Sequence, residues 1–298
     1  MSRYAMLLLS AGFSATALPA LAEVPRVVAD TPVVGALVQQ VMGDLGQPEV
    51  LLAAGGDAHH YQLRPSQAGS LQDAGLLVWV GPEMSPWLDR PAAALTAKGD
   101  ALALLAAPGT QRQNFASGGE DHDHEGHDHA GHDHDGHDHD SAGDADEDGH
   151  HHSGVDPHAW LNPDNGRVWV QAIAEALAAR DPQNAATYRA NAATAEAGIA
   201  ALDGELRATL APVQGKPFVV FHDAYGYFTT HFGLKPAIAV SLGDASTPSA
   251  GRLRTIRDQI AAGGAVCAFP EANHDARLIA SVTEGSSTRS GGALDPEG

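Results

Sequence analysis

Short apolar runs alternate with longer amphipathic stretches through most of this chain. The alternation occurs on both sides of one long segment of helical periodicity. Val24–Ala29, Glu49–Ala53, Leu76–Val80 and Ala101–Ala106 read as strands; Thr31–Leu45, Pro65–Ala74 and Pro86–Ala97 read as helices. Asn162-Pro163 opens a helix running to about Arg180. Asp181-Pro182 opens another, with Asp as N-cap and Pro at the first helical position. In this second helix Tyr188, Ala192, Ala195, Ile199, Leu202 and Leu206 recur at helical spacing up to about Leu210. At 1.5 Å per residue it spans roughly 45 Å, long for one lobe. The alternation then resumes, with strands at Pro217–Phe221, Pro236–Leu242 and Ala265–Phe269 and helices at Ala224–Phe232, Pro248–Ala262 and Asn273–Glu284. Strands alternating with helices imply parallel sheets with crossover helices. The predicted fold is therefore α/β, with two lobes that each carry a mainly parallel sheet flanked by helices. The N-terminal lobe occupies residues 23–180, the linking helix 181–212 and the C-terminal lobe 213–298.

Two segments lie outside that pattern. Residues 1–22 carry a basic Arg3, an apolar run from Ala5 to Leu18, and Ala20-Leu21-Ala22 before Glu23. This is the layout of a secretory signal peptide, and it predicts an exported, periplasmic mature chain beginning near Glu23. Gly118–Gly154 is low in complexity, with Gly126, Gly131 and Gly136 recurring every five residues. Lacking apolar periodicity, it cannot bury a core and is expected to be disordered without metal. It also accounts for most of the charge. The formal net charge is −20, and residues 118–154 hold 13 of the 37 acids and no Lys or Arg, leaving 24 acids against 17 bases elsewhere. Such a balance excludes nucleic acid as a natural partner. The single cysteine, Cys267, cannot build a thiolate metal site by itself. It reads either as a small buried hydrophobe or as half of a pair whose partner lies on further sequence.

The 17 histidines form two populations. Eleven sit in the acidic segment: His122, His124, His127, His129, His132, His134, His137, His139, His150, His151 and His152, mostly in Gly-His-Asp-His units. Neutral imidazole is a good ligand for zinc, copper and nickel, and neighbouring carboxylates ease the approach of a dication. Ordering a floppy chain costs entropy, so these sites are expected to be weaker than a rigid pocket. Of the six others, His59 and His60 follow the second strand, His222 follows the strand Pro217–Phe221, and His158 precedes the Asn162-Pro163 helix start. Ligands of open parallel sheets bind at the carboxyl ends of strands, so a histidine from each lobe can face a common cleft. Three histidines with one further position suit zinc. His231, within a helix, reads as packing; His274 reads as a cap neighbour or a support for the site.

The segment Gly55-Gly56-Asp57-Ala58-His59-His60-Tyr61-Gln62-Leu63-Arg64-Pro65-Ser66 resembles the first metal motif of zinc-specific solute-binding proteins of ABC importers, the ZnuA type. Leu77-Val78-Trp79-Val80-Gly81-Pro82-Glu83-Met84 matches the strand and turn that follow it. Pro157-His158-Ala159-Trp160-Leu161 is similar to the second motif, and Phe221-His222-Asp223-Ala224-Tyr225-Gly226-Tyr227-Phe228 to the third. The resemblance covers essentially the whole mature chain, its acidic histidine-rich loop included. It implies Zn2+ in an interlobe cleft with His59, His158 and His222 as ligands, and delivery to an ABC permease in the inner membrane. It also implies a monomer and a zinc-delivering chaperone as a further partner. Some members place Glu just before the first histidine; here Ala58 stands there, and that contact is lost. Leu294-Asp295-Pro296 matches the acidic site of manganese-type relatives, so Asp295, or else water, fills the fourth position. Members continue past the position of Gly298, often to a C-terminal cysteine, which implies further sequence able to pair with Cys267.

Three other readings compete. An exported zinc hydrolase needs a general base and a substrate pocket, and the sequence has no His-Glu-x-x-His pattern. A zinc buffer or chaperone without a transporter fits the same ligands. Manganese as cargo fits less well, since it prefers oxygen donors.

Overall fold

The computed structural model describes residues 24–52, 55–96, 100–115, 154–243 and 245–298. The predicted signal peptide and the eleven loop histidines lie outside these residues.

Two four-stranded parallel sheets form the framework. The first contains β1 (Val27–Ala29), β2 (Glu49–Val50), β3 (Leu76–Trp79) and β4 (Ala101–Ala103), in the order β2-β1-β3-β4. The second contains β5 (Phe218–His222), β6 (Ile238–Ser241), β7 (Cys267–Phe269) and β8 (Arg289–Ser290), in the order β6-β5-β7-β8. The two lobes thus repeat one winding: the first strand is central, the next pairs on one side, and the later two extend the other.

The strands are short and apolar on both faces because helices cover both sides of the first sheet. Val27 and Ala29 of β1 point into one core with Trp169, Ile173 and Tyr188, while Val28 between them points into another with Leu71, Trp79 and Leu88. The first core is roofed by α1 (Pro32–Met42), α4 (Pro163–Arg180) and α5 (Ala185–Leu210). The second is closed by α2 (Pro65–Gln72) and α3 (Asp89–Thr96). In the second lobe α7 (Ala250–Gly263) and α8 (Ala276–Thr283) pack Ile256, Ile260, Ile279 and Val282 on Val219, Phe221 and Val240. The opposite face buries less, and an apolar groove of about 420 Å³ opens there between Phe218, Phe228, Cys267, Phe269 and Leu294. Cys267 is half-buried on its wall rather than enclosed in the core.

Helix starts follow their caps. Thr31 Oγ1 accepts from the Val34 amide ahead of Pro32, Asn162 Oδ1 from the Asp164 amide ahead of Pro163, and Ser249 Oγ from the Arg252 amide. The long helix departs from expectation at its start: α5 begins at Ala185, not at Pro182. Asp181 instead ends α4, its carboxylate accepting from the Asn184 amide, the Asn184 side chain and the buried Tyr188 hydroxyl. That turn fixes the angle at which α5 leaves α4. The first half of α5 packs on the N-terminal lobe through Tyr188, Ala192 and Ala195. Its last turns reach α6 (Gly226–Phe232) of the other lobe, where Arg207 bonds the His231 carbonyl. No helix among the described residues is long and apolar enough to cross a membrane.

Candidate metal centre

The carboxyl ends of both sheets face one interlobe cleft, and three histidines meet there. A ligand atom from each of His59, His158 and His222 lies within 4.8 Å of the others. His158 and His222 are fully buried, and their Nε2 atoms approach to 3.3 Å. His59 lies edge-on to His158 with ring centroids 5.5 Å apart.

Each histidine is aimed by its surroundings. His59 follows an Asp-x-His turn in which the Asp57 carboxylate accepts the His59 amide at 2.8 Å and the His60 amide at 3.2 Å. Asp57 also holds His60 through Nδ1 at 2.9 Å, which keeps His60 at the exposed side of the turn. Ala58 between them is buried, and its carbonyl accepts the Trp87 indole N–H. His158 repeats the turn: Asp156 Oδ1 takes both its amide at 2.9 Å and its Nδ1 at 2.8 Å. The segment carrying it is clamped between lobes, with the Tyr227 hydroxyl donating to the Asp156 carbonyl and the Trp160 indole to the Pro296 carbonyl. A Cβ on Gly226 would displace the Gln113 side-chain amide and come within 3.1 Å of the Asp156 carboxylate, so α6 approaches this segment closely at a residue without a side chain. His222 is the last residue of β5, and Glu271, just past β7, takes its Nδ1 at 2.7 Å and its amide at 3.3 Å.

The electrostatics favour a dication over a proton. Burial first, then His222 nearby, hold His158 well below the ordinary histidine pKa, so it stays a neutral donor. Burial pushes the Asp156 carboxyl up to about 6, against the hydrogen bond from His158. With Asp156 and Glu271 each on an Nδ1, both Nε2 lone pairs are turned toward the shared space. Three neutral imidazoles backed by two carboxylates balance a 2+ ion without placing a bare anion in the cavity. This donor set fits zinc.

Asp295, expected as a fourth ligand, is not among the clustered ligand atoms of the described residues. It is exposed, and its carboxylate accepts the Gly298 amide at 3.0 Å. The buried carboxyl of that segment is Glu297, pushed up to about 7 mainly by burial, in contact with the Ala58 backbone and feeling His222. Sequence reasoning passed over Asp156 and Glu297. The signal for Asp156 was present: Asp57-Ala58-His59 and Asp156-Pro157-His158 share one spacing. His231 lies away from the cleft, its Nε2 held by Asp203 at 2.7 Å.

The family described as zinc-uptake complex component A, periplasmic, matches residues 27–297. The chain belongs to the ZnuA family. A high-affinity zinc uptake system protein ZnuA of Paracoccus denitrificans is 67% identical over 298 residues, all of this chain and 91% of the relative. The protein of the same description in Brucella abortus is 39% identical over 296 residues, 97% of this chain and 88% of the relative. A crystal structure of ZnuA superposes with a TM-score of 0.71 at 22% identity, covering 92% of each chain, which supports the fold. ZnuA membership sets the protein among periplasmic components of metal uptake rather than among enzymes.

Proposed function

We propose that this protein captures Zn2+ in the periplasm and delivers it to the permease of an ABC importer in the inner membrane. His59, His158 and His222 are the ligands, and water completes a tetrahedral shell. The observation that carries this reading is the convergence of three histidines from both lobes on one buried point, two of them oriented by carboxylates. The ZnuA relatives are named for high-affinity zinc uptake, which agrees with that donor chemistry. Three imidazoles disfavour manganese, which seeks oxygen. The histidine-rich stretch 118–154 adds weaker sites that raise the local zinc concentration and pass ions to the cleft; a zinc-delivering chaperone would act upstream of it.

Zinc titration against a competing chelator tests the ligand set. His59→Ala, His158→Ala and His222→Ala are each expected to weaken the tight step by orders of magnitude. Tight binding that survives His158→Ala would sink the three-histidine site. Growth of a deletion strain in chelated medium separates a transporter component from a buffer, because only the former is needed for uptake.

A further inference from the structure

A second set of ligands stands one imidazole away from the first. Ligand atoms of His222, Glu271 and His274 also lie within 4.8 Å of one another. His222 belongs to both sets, and its two nitrogens face different partners. Nε2 faces His158 Nε2 at 3.3 Å, and Nδ1 faces Glu271 Oε2 at 2.7 Å. The same Glu271 oxygen lies 3.8 Å from His274 Nε2. His274 is stacked on Phe221 at 4.2 Å between centroids, so its ring is held in place rather than free to swing. Its side chain is 23% exposed while that of Glu271 is 2% exposed, so His274 is the member of this cluster that reaches solvent. The loop that carries it abuts the loop of His59, with Asn273 Oδ1 against Gly55. Two imidazoles and one carboxylate are a sound zinc donor set.

We infer that His222, Glu271 and His274 form a second zinc position at the mouth of the cleft, alternative to the three-histidine pocket rather than additional to it. The inference rests on the reading of that pocket as a zinc site. The exclusion follows from the chemistry of one ring. A neutral imidazole offers one lone pair and one N–H. An ion in the pocket takes the lone pair of Nε2, leaving the proton on Nδ1, where it is donated to Glu271. An ion at the mouth takes the lone pair of Nδ1, and the proton moves to Nε2. Filling both would need an imidazolate and would set two dications a few ångströms apart. An ion caught at the mouth therefore steps inward as His222 exchanges tautomers: Nε2 gives up its proton to solvent, Nδ1 takes one, and the net proton count is unchanged. Once the pocket is full, the mouth keeps only Glu271 and His274 and no longer competes.

The test uses the full chain and Zn2+ itself. His59→Ala/His158→Ala removes the other two pocket ligands and leaves His222. Equilibrium dialysis compares this variant with one that adds His274→Ala; both carry the same histidine-rich segment, so its contribution cancels. One more equivalent of zinc is expected in the double variant, bound more weakly than the tight step of the unmodified protein. Zinc-edge anomalous scattering from its crystals is expected to show a peak between His222, Glu271 and His274. Equal stoichiometry in the two variants, or no peak there, overturns the inference. If the alanine pair does not fold by circular dichroism, His59→Gln/His158→Gln supports the same comparison. Dialysis of the unmodified protein forms a separate arm: loss of its tight step would refute the pocket and not the mouth.

Discussion

Replacing Asp156 by Asn separates the cost of this site to the fold from its value to the metal. Asn keeps the shape and an acceptor oxygen, so the His158 amide at 2.9 Å and Nδ1 at 2.8 Å can both still be taken. What is lost is the charge. Removing the partner of a metal-bound histidine typically costs 10–100-fold in affinity, or about 1.4–2.7 kcal/mol. The metal-free protein should respond the other way. Burial raises this carboxyl from 3.8 to about 6, a gap of about two pKa units, so its ionised form at pH 7 costs the fold at most roughly 3 kcal/mol. Asn relieves that cost, offset in part by the Gln113 amide, which loses its carboxylate acceptor at 3.3 Å. The expected result is a metal-free melting temperature unchanged or raised by a few degrees, together with weaker zinc. Chelator competition measures the affinity, and thermal unfolding by circular dichroism measures the stability. Zinc affinity within twofold of the unmodified protein would refute the orienting role. A metal-free protein destabilised by the full loss in binding would show Asp156 to be structural instead.

Four further outcomes are expected. Acid should release the cleft ion at lower pH than it would from exposed imidazoles, because His158 resists protonation to well below 6.5; release complete at pH 6.5 in a chelator assay would contradict this. The sign for metal-free stability is the same: below 6.5 the unfolded chain takes a proton at this residue that the folded chain refuses, so His158 makes unfolding easier as pH falls, readable in denaturant midpoints. His231→Ala should leave zinc affinity untouched and cost the fold about 1–3 kcal/mol, since it strips Asp203 of a 2.7 Å partner where α6 meets α5; denaturant unfolding reports the cost, and weakened zinc binding would contradict the assignment. Deleting residues 118–154 should lower zinc stoichiometry, leave the tightest step intact and slow loading from a chelator, whereas loss of the tight step would place a primary ligand in that segment.

Much of the fold was legible because strand and helix signals alternate cleanly and caps stand where helices begin. His59 and His222 were legible as residues that follow strands, since parallel sheets gather such positions at one edge, and His158 only as the histidine ahead of the Asn162-Pro163 helix start. The start of α5 was misread because Asp181-Pro182 satisfies a capping pattern locally, while the buried Tyr188 hydroxyl claims the Asp181 carboxylate from a turn away. Strand β8 was missed because Arg289–Ser290 is two polar residues at a sheet edge, with no periodicity to detect. Asp295 was named on motif alone, with water as its alternative, and Glu297 was passed over. Which of two acids in one turn faces inward depends on how Leu294 bridges to Glu271, a tertiary contact that sequence spacing does not encode.

The helix α5 has a mechanical consequence. Its 26 residues form one hydrogen-bonded rod of about 39 Å, anchored along its first half and touching the other lobe at its far end. Bending such a rod sharply breaks backbone hydrogen bonds, so it is built as a strut rather than a hinge between the lobes. A strut of this kind works against a large clamshell motion as the signal of loading to a docking membrane protein. It would have to read the cleft rim, where an ion in the pocket ties the His59 loop to His158 and to the end of β5 at His222.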